Sequence, residues 1–470
     1  MTALALKARP LAGGGFLLVG DAGDFAAASR PLLQRIAAGA VTDDDRRALA
    51  GEGLLVSEDD ELGRLAYARR LSERMSPAGP LDYLILVPTL RCNLSCSYCQ
   101  VSRVAERSTG FDWDERTLAA VLSVIDGLET DRIKIEFQGG EPTLRPDLIR
   151  AVIARCERFP VRQFVICTNL QRLDTELVDI LDRPDVFVST SLDGPSTVHA
   201  RQRTGDEATT DAFLANLRFV VDRYGPTKVS ALPTVDPAAL PDMDELIDSY
   251  VAHGIEGVFL RPINYQGFAR KRHAEVRELD AGWRSYHARF VRRLIERNWA
   301  DRSRVLEETY FSICLRRIFQ PRADRHVDLR DPNPVGVDYV VVDHDGRVYP
   351  TDEARMLTRS GVMDLAIGDV FHGWDGDMRA ALNAHATNRF DPTCGSCAYQ
   401  PFCGRDLMDD LSRYGRIDLP RHETEFCRRH LAMFDLAFEL IYSDDPAVRY
   451  SLARWLRVPG APAEFGARLS

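Results

Sequence analysis

Between residues 81 and 300 the sequence alternates six times between a short apolar run and an amphipathic stretch of helical period. The runs are LDYLILVPTL, RIKIEFQGG, RQFVICTNL, VFVSTSLDG, KVSALPTV and GVFLRPIN. The stretches between them carry apolar residues three and four apart, as in Leu118, Val121, Leu122 and Ile125. Strand–helix–strand units of this size cross over right-handedly and set their strands side by side in one parallel sheet. Six units fall short of the eight that close a full barrel. The economical fold is therefore α/β, an open, partial (β/α)6 barrel of the TIM type. In such folds the chemistry gathers at the C-terminal ends of the strands.

The flanks read differently. Residues 1–80 form a small α+β module: FLLVGDAGDFAAAS is strand, turn, strand, and RPLLQRIAAG and TDDDRRALAGEGLLV are two short helices, the second leading into a strand. SPAGP, residues 76–80, reads as a linker. The module is expected either to cap the open barrel or to clasp a peptide. After about residue 300 the alternation stops. YVVVDHDGRVYP is a hairpin turning at Asp345 and Gly346, a cysteine-rich loop spans 394–427, and LAMFDLAFELIY is an amphipathic helix. The expected division is 1–80, 81–300 and 301–470.

Composition removes several classes. The chain is 45% apolar, the fraction of a soluble globular protein. Its net charge of -10 argues against a nucleic-acid partner. No run of 18 apolar residues occurs, so no membrane span is expected, and the N-terminus lacks the ordered regions of a signal peptide. The expected compartment is the cytoplasm, where thiols stay reduced and clustered ones bind metal or do chemistry. Of ten cysteines, Cys156, Cys167 and Cys314 stand singly in apolar surroundings and read as core residues.

The other seven form two groups. Cys92, Cys96 and Cys99 follow the first barrel strand in the spacing C-x3-C-x2-C. Three thiolates can hold a metal cluster and leave one position open, as catalytic sites do; a zinc knuckle completed by a distant ligand is the competing reading. The second strand ends in QGGEP, with Gln138, Gly139, Gly140 and Glu141. The glycines allow a close backbone approach, and Glu141 can accept from an ammonium group. Asn169 ends the third strand and lines the same mouth unless it only makes a turn. Ser191 ends the fourth, with Arg203 twelve residues on; a turn and a surface salt bridge are their plain alternatives. Cys394, Cys397 and Cys403, followed by Cys427, make a set of four. Four thiolates saturate a cluster suited to electron transfer, or hold a structural zinc.

CNLSCSYC resembles the C-x3-C-x-aromatic-C loop of the radical S-adenosylmethionine (SAM) enzymes. The resemblance implies a [4Fe-4S] cluster on Cys92, Cys96 and Cys99, with SAM chelating the open iron. It implies SAM contacts from Tyr98, Gln138, Gly139, Gly140, Glu141, Asn169, Ser191 and Arg203. The second group resembles the SPASM extension of radical SAM enzymes that modify peptides. A full SPASM region binds two auxiliary clusters. This chain has Thr351 and Leu407 where two of the cysteines are expected. One auxiliary [4Fe-4S] cluster is therefore expected, on Cys394, Cys397, Cys403 and Cys427. Asp352 matches an aspartate that takes a substrate proton in sulfatase-maturing relatives; a helix N-cap is its plain alternative.

CQVSR, IKIEFQGGEP, STSLDGP, VSAL, FLRPI with GFA, DEARML and CAYQPFCG together resemble HxsB, the B-type maturase family of the His-Xaa-Ser peptide system, over roughly residues 85–430. That resemblance implies a radical SAM oxidoreductase that oxidatively modifies, as by crosslinking, a ribosomally made precursor peptide. It further implies an external electron donor of the flavodoxin or ferredoxin type and a companion radical SAM maturase. Two other readings stay open: sulfatase-maturase-like formation of formylglycine, and a non-catalytic scaffold that presents peptide to the companion.

Overall fold

The computed structural model describes residues 5–57, 59–75, 78–264, 266–267, 269–273, 279–321, 329–374, 376–458 and 465–470. The chain opens with three antiparallel strands, β1 (Lys7–Pro10), β2 (Phe16–Val19) and β3 (Phe25–Ala28). Helices α1 (Arg30–Ala37) and α2 (Asp43–Gly51) follow. Thr42 starts α2 with a reciprocal box: its hydroxyl accepts from the Asp45 N–H, and the Asp45 carboxylate accepts from the Thr42 N–H. The strand expected after α2 does not form among the described residues; Leu54 and Val56 are buried there as single side chains. A third helix, α3 (Glu61–Arg74), comes instead. It buries no residue and leaves Leu62 and Leu65 exposed, so it presents no apolar stripe for a sequence to reveal. Residues 76 and 77 of the expected linker lie outside the described residues.

The six expected barrel strands are β4 (Tyr83–Thr89), β5 (Arg132–Gly139), β6 (Val161–Cys167), β7 (Val186–Thr190), β8 (Val229–Ala231) and β9 (Gly257–Val258). They lie parallel in sequence order. The helices after them are α4 (Glu115–Asp126), α5 (Pro146–Arg155), α6 (Thr175–Leu181), α7 (Glu207–Tyr224), α8 (Met243–Ala252) and α9 (Asp280–Ala300). Asp114, Asp174, Asp206 and Asp242 cap four of these by accepting first-turn N–H groups. On β5, Ile133, Ile135 and Phe137 pack outward with Val121, Ile149 and Val152 of the helices. Lys134, Glu136 and Gln138 therefore face the inside of the open barrel.

Two further parallel strands extend the sheet. β10 (Glu307–Glu308) adds beyond β9, and β11 (Tyr339–Val342) adds beside β4. Antiparallel β12 (Arg347–Tyr349), β13 (Gly368–Asp369) and β14 (Gly373–Trp374) complete the order β10-β9-β8-β7-β6-β5-β4-β11-β12-β13-β14. The expectation that the alternation ends near residue 300 misses β10. That strand is two glutamates long and carries no apolar run. Glu308 is nonetheless fully buried, because it accepts from the Leu260 N–H and caps α10 (Thr309–Phe319).

Beyond the sheet come α11 (Asp352–Arg359), α12 (Leu407–Tyr414), α13 (Glu425–Ile441), α14 (Pro446–Trp455) and β15 (Ala467–Leu469). β15 returns to pair in parallel with β3, so the first sheet is ordered β1-β2-β3-β15. One apolar core runs from Leu17 and Val19 through the outer layer of the barrel to Phe434, Phe438 and Trp455. No helix among the described residues is long and apolar enough to cross a membrane.

Candidate functional site

The first cysteine loop leaves the C-terminal end of β4. Arg91–Cys92 pairs in parallel with Val104–Ala105 and closes its base. Cys92, Cys96 and Cys99 are each half-buried and unbridged. The Leu94 N–H donates toward Cys92 Sγ at 3.4 Å, and the Cys99 N–H turns back on the Cys96 carbonyl at 3.2 Å. Burial first, then the Glu141 carboxylate and the other two thiols, push the Cys92 thiol up to about 12. Burial likewise raises Cys96, opposed by Arg203. The thiols beside Cys92 disfavour its ionisation, and a cation bound by the loop would relieve this.

Neighbouring strand ends pin this loop. Gly139, at φ +135°, and Gly140 have no room for a side chain: a Cβ would meet the Thr89 carbonyl at 2.2 Å at the first and the Arg91 carbonyl at 2.2 Å at the second. The glycine pair thus lets β5 end directly against the backbone that leads into Cys92. Glu141 is 1% exposed. Its carboxylate accepts from the Thr143 hydroxyl at 2.7 Å and from the Asn169 N–H at 2.7 Å, which ties the end of β5 to the end of β6. The Asn169 amide donates to Asn93 Oδ1 at 2.8 Å and faces Cys92 Sγ at 3.8 Å.

Tyr98 points inward, 5% exposed. Its hydroxyl donates to Asp193 at 2.7 Å and accepts from Arg203 Nη1 at 2.7 Å. Asp193 also accepts from the Thr234 N–H at 3.0 Å. Arg203 therefore sits under the cysteine loop rather than in a surface salt bridge. Ser191 stands half-buried one residue past β7. Gln138 donates to Glu136 at 2.7 Å on the inner wall.

That wall includes residues the motifs did not single out. Glu136 accepts from the Tyr83 hydroxyl at 2.6 Å and from Cys167 Sγ at 3.3 Å. Cys156 and Cys314 are fully buried in the core as expected, but Cys167 is half-buried and lines the barrel interior. The strand period places it there: residue 167 follows 163 and 165 on the inner face of β6. Asp193 could have been found from its own string, an acidic residue held between Leu192 and Gly194 at a strand end.

Asp352 is the first residue of α11 and not its cap; Thr351, 4% exposed, fills that role by accepting from the Ala354 N–H at 3.0 Å. The Asp352 side chain is 12% exposed and pairs with Arg355 at 2.8 Å. Burial raises its carboxyl above the ordinary range; Arg355 opposes this, and Glu136 and Asp343 add to it. Glu136 and Cys167, both on the inner wall, interact electrostatically with it.

Cys394, Cys397, Cys403 and Cys427 converge from the loop and the first turn of α13. Burial and the other three thiols raise Cys403, and burial, Asp391 and the thiols of Cys427 and Cys397 push Cys394 up to about 12. Cys394, Cys397 and Cys427 all act on the buried Cys403, and four thiolates are the number that saturates an iron–sulfur cluster. At the two positions where the SPASM resemblance calls for further cysteines, Thr351 is a helix cap and Leu407, 2% exposed, packs with Ala354, Leu357, Met408 and Leu411. An apolar core stands there.

Residues 86–248 match the Radical SAM superfamily. A 184-residue stretch is 26% identical to an uncharacterized protein of Methanocaldococcus jannaschii, covering 38% of this chain and 61% of that protein. Over 108 residues the chain is 35% identical to the PqqA peptide cyclase of Gluconobacter oxydans, covering 23% of this chain and 28% of the cyclase. The chain thus spans about three fifths of the length of the first of these relatives and less of the second. Among solved structures, native anSMEcpe with bound AdoMet superposes with a TM-score of 0.62 at 16% identity, over 79% of this chain and 100% of that one. Native anSMEcpe with bound AdoMet and Cp18Cys peptide gives 0.60 at 16% identity, over 79% and 99%. At that identity the likeness concerns the fold.

Proposed function

We propose, from the premise that residues 86–248 are a radical SAM domain, that this protein is a peptide maturase of the kind HxsB represents. In this reading it oxidises, as by crosslinking, a residue of a ribosomally made precursor peptide. The carrying observation is that the three-thiol loop, Glu141 and Asn169 are tied together at the C-terminal ends of three adjacent parallel strands, with Ser191 just past the end of the fourth. Cys92, Cys96 and Cys99 would hold the first cluster, and Cys394, Cys397, Cys403 and Cys427 one auxiliary cluster. When bound, these clusters and SAM supply a 5'-deoxyadenosyl radical for hydrogen abstraction and an acceptor for the electron left behind.

The chain's own residues orient and deprotonate. Asn169 and the pair Gly139–Gly140 fix the loop against β5 and β6. Tyr98, Asp193 and Arg203 hold it from β7. Asp352 interacts with Glu136 and Cys167 of the inner wall, its proton affinity raised by burial, and its carboxylate takes the proton that the oxidised residue gives up. The apolar packing of Leu407 and the capping role of Thr351 favour one auxiliary cluster over the two of a full SPASM region. An external electron donor, a companion maturase and a cytoplasmic setting belong to the same reading. The test is mass spectrometry of a His-Xaa-Ser precursor peptide co-expressed with and without this protein. A mass loss of about two hydrogens, absent in a Cys96→Ala strain, is expected for one crosslink. An unchanged peptide counts against the reading.

A further inference from the structure

The first sheet has two edges, and they differ. At the β1 edge, side chains are committed to the chain itself: Lys7 pairs with Asp21 at 2.8 Å, Arg9 holds Asp435 of α13 through both carboxylate oxygens, and Pro10 has no N–H to offer. At the β3 edge, residues 467–469 of this chain are seated as a strand. Ala467, Arg468 and Leu469 run parallel to Ala26, Ala27 and Ala28. The Ser29 N–H donates to the Leu469 carbonyl at 2.9 Å. Ala467 and Leu469 pack on the cluster of Leu18, Ala26, Leu32, Leu49 and Leu54, while Arg468 turns out to the Tyr442 carbonyl at 2.7 Å. A cavity of about 410 Å³ adjoins the slot where β15 enters it, lined by Asp24, Phe25, Arg70, Arg74, Phe319 and Phe465 among others.

We propose that β15 is an exchangeable strand, seated on the sheet edge at which the substrate peptide docks, and that the peptide enters by displacing it. The inference rests on the peptide-maturase reading above. β15 itself shows what the edge accepts: an extended segment parallel to β3, with small or aliphatic side chains at alternate positions and a polar one between. Residues preceding that segment would lie along the cavity, over the Asp24–Arg70 ion pair and over Arg74, which holds the Ala22 and Ile318 carbonyls. Strand addition gives affinity through the main chain and selectivity through pockets for alternate side chains. β15 pairs over only three residues, and none of its side chains is fully buried. A strand that short adds little on its own and is a fit candidate for exchange.

The test uses a fluorescently labelled heptapeptide, EFGARLS, which copies residues 464–470. Its binding is followed by anisotropy to the full chain, to the full chain with Leu469→Asp, and to a chain ending at residue 464. A self-occupied edge lowers apparent affinity by the fraction of open molecules, so both variants are expected to bind the probe at least about tenfold more tightly than the unaltered chain. The precursor peptide is expected to displace the probe. Equal probe binding by all three proteins, with the variants keeping the parent near-ultraviolet circular dichroism, overturns the exchange. A tightly bound probe that the precursor fails to displace overturns the assignment of the partner. Should either variant not fold, amide hydrogen exchange of the unaltered chain decides: residues 467–469 must exchange faster when precursor is added, and unchanged or slower exchange overturns the proposal. A precursor that displaces the probe yet is never modified sinks the maturase reading while the docking edge stands.

Discussion

The Arg203 guanidinium donates to the Tyr98 hydroxyl at 2.7 Å, so that a residue 105 positions downstream fixes the aromatic side chain inside the cysteine loop. The same hydroxyl donates to Asp193, which is 1% exposed. Removing it with Tyr98→Phe leaves a buried carboxylate short of one donor. A loss of about 1–3 kcal/mol is expected, read as a lower midpoint of anaerobic thermal unfolding. Asp193→Ala is expected to cost more than Tyr98→Phe, since it strips partners from both Tyr98 and the Thr234 N–H. An unchanged midpoint in both variants contradicts the network.

Gly140→Ala tests the close approach of β5 to the loop. The added methyl would press on the Leu90 and Arg91 carbonyls, at 2.4 and 2.2 Å, and backbone on both sides leaves nothing flexible to move. We expect destabilisation of about 1–3 kcal/mol or more, together with loss of iron from the first site alone. Gly282→Ala, in α9 with nothing within 4 Å, is the control. It is expected to be neutral or stabilising by up to about 1 kcal/mol.

Asp352 carries a pH signature. Its raised carboxyl favours the protonated form in the folded state. The stability that this contributes is complete below the ordinary value of about 3.9 and is lost as pH rises through the raised value. Asp352→Asn, which keeps a polar partner beside Arg355, is therefore expected to equal or exceed the parent in stability at neutral pH. That advantage should fade towards pH 4, as read by chemical denaturation. Peptide modification by the parent should rise with pH through the same raised value. In the variant it should fall by at least about a hundredfold while SAM cleavage persists. A variant that modifies peptide at the parent rate removes the base from the account.

Iron content tests the second group of thiols. Two four-iron clusters give about eight irons per reconstituted chain. Cys403→Ala is expected to lose about half of this and to retain SAM cleavage. About twelve irons in the parent would require ligands that Thr351 and Leu407 do not provide.

The barrel was legible because its signals are local. The apolar period of two on β5 and of three to four on α4 survives in the sequence whatever the tertiary context. The thiol spacings are covalent facts. What escaped detection is set by distant partners. β10 is two glutamates that become a strand only because β9 lies beside them. β15 is three residues whose pairing depends on β3, more than four hundred positions earlier. α3 shows no apolar stripe because it buries no residue. At the site, Tyr98, Glu141 and Asn169 were visible as motif members, but their actual bonds to Asp193, Thr143 and Asn93 arise from the convergence of strand ends. Cys167 read as a core residue because its neighbours in sequence are apolar; alternation along β6 turns it inward to Glu136.

The central claim is that Cys92, Cys96 and Cys99 arm this chain to cleave SAM reductively. Anaerobically reconstituted protein, reduced with dithionite and given SAM, should release 5'-deoxyadenosine, quantified by liquid chromatography. The triple Cys92→Ala, Cys96→Ala, Cys99→Ala variant should release none while keeping the iron of its second site. Absence of 5'-deoxyadenosine from iron-loaded parent protein, or equal release by the triple variant, would contradict the account.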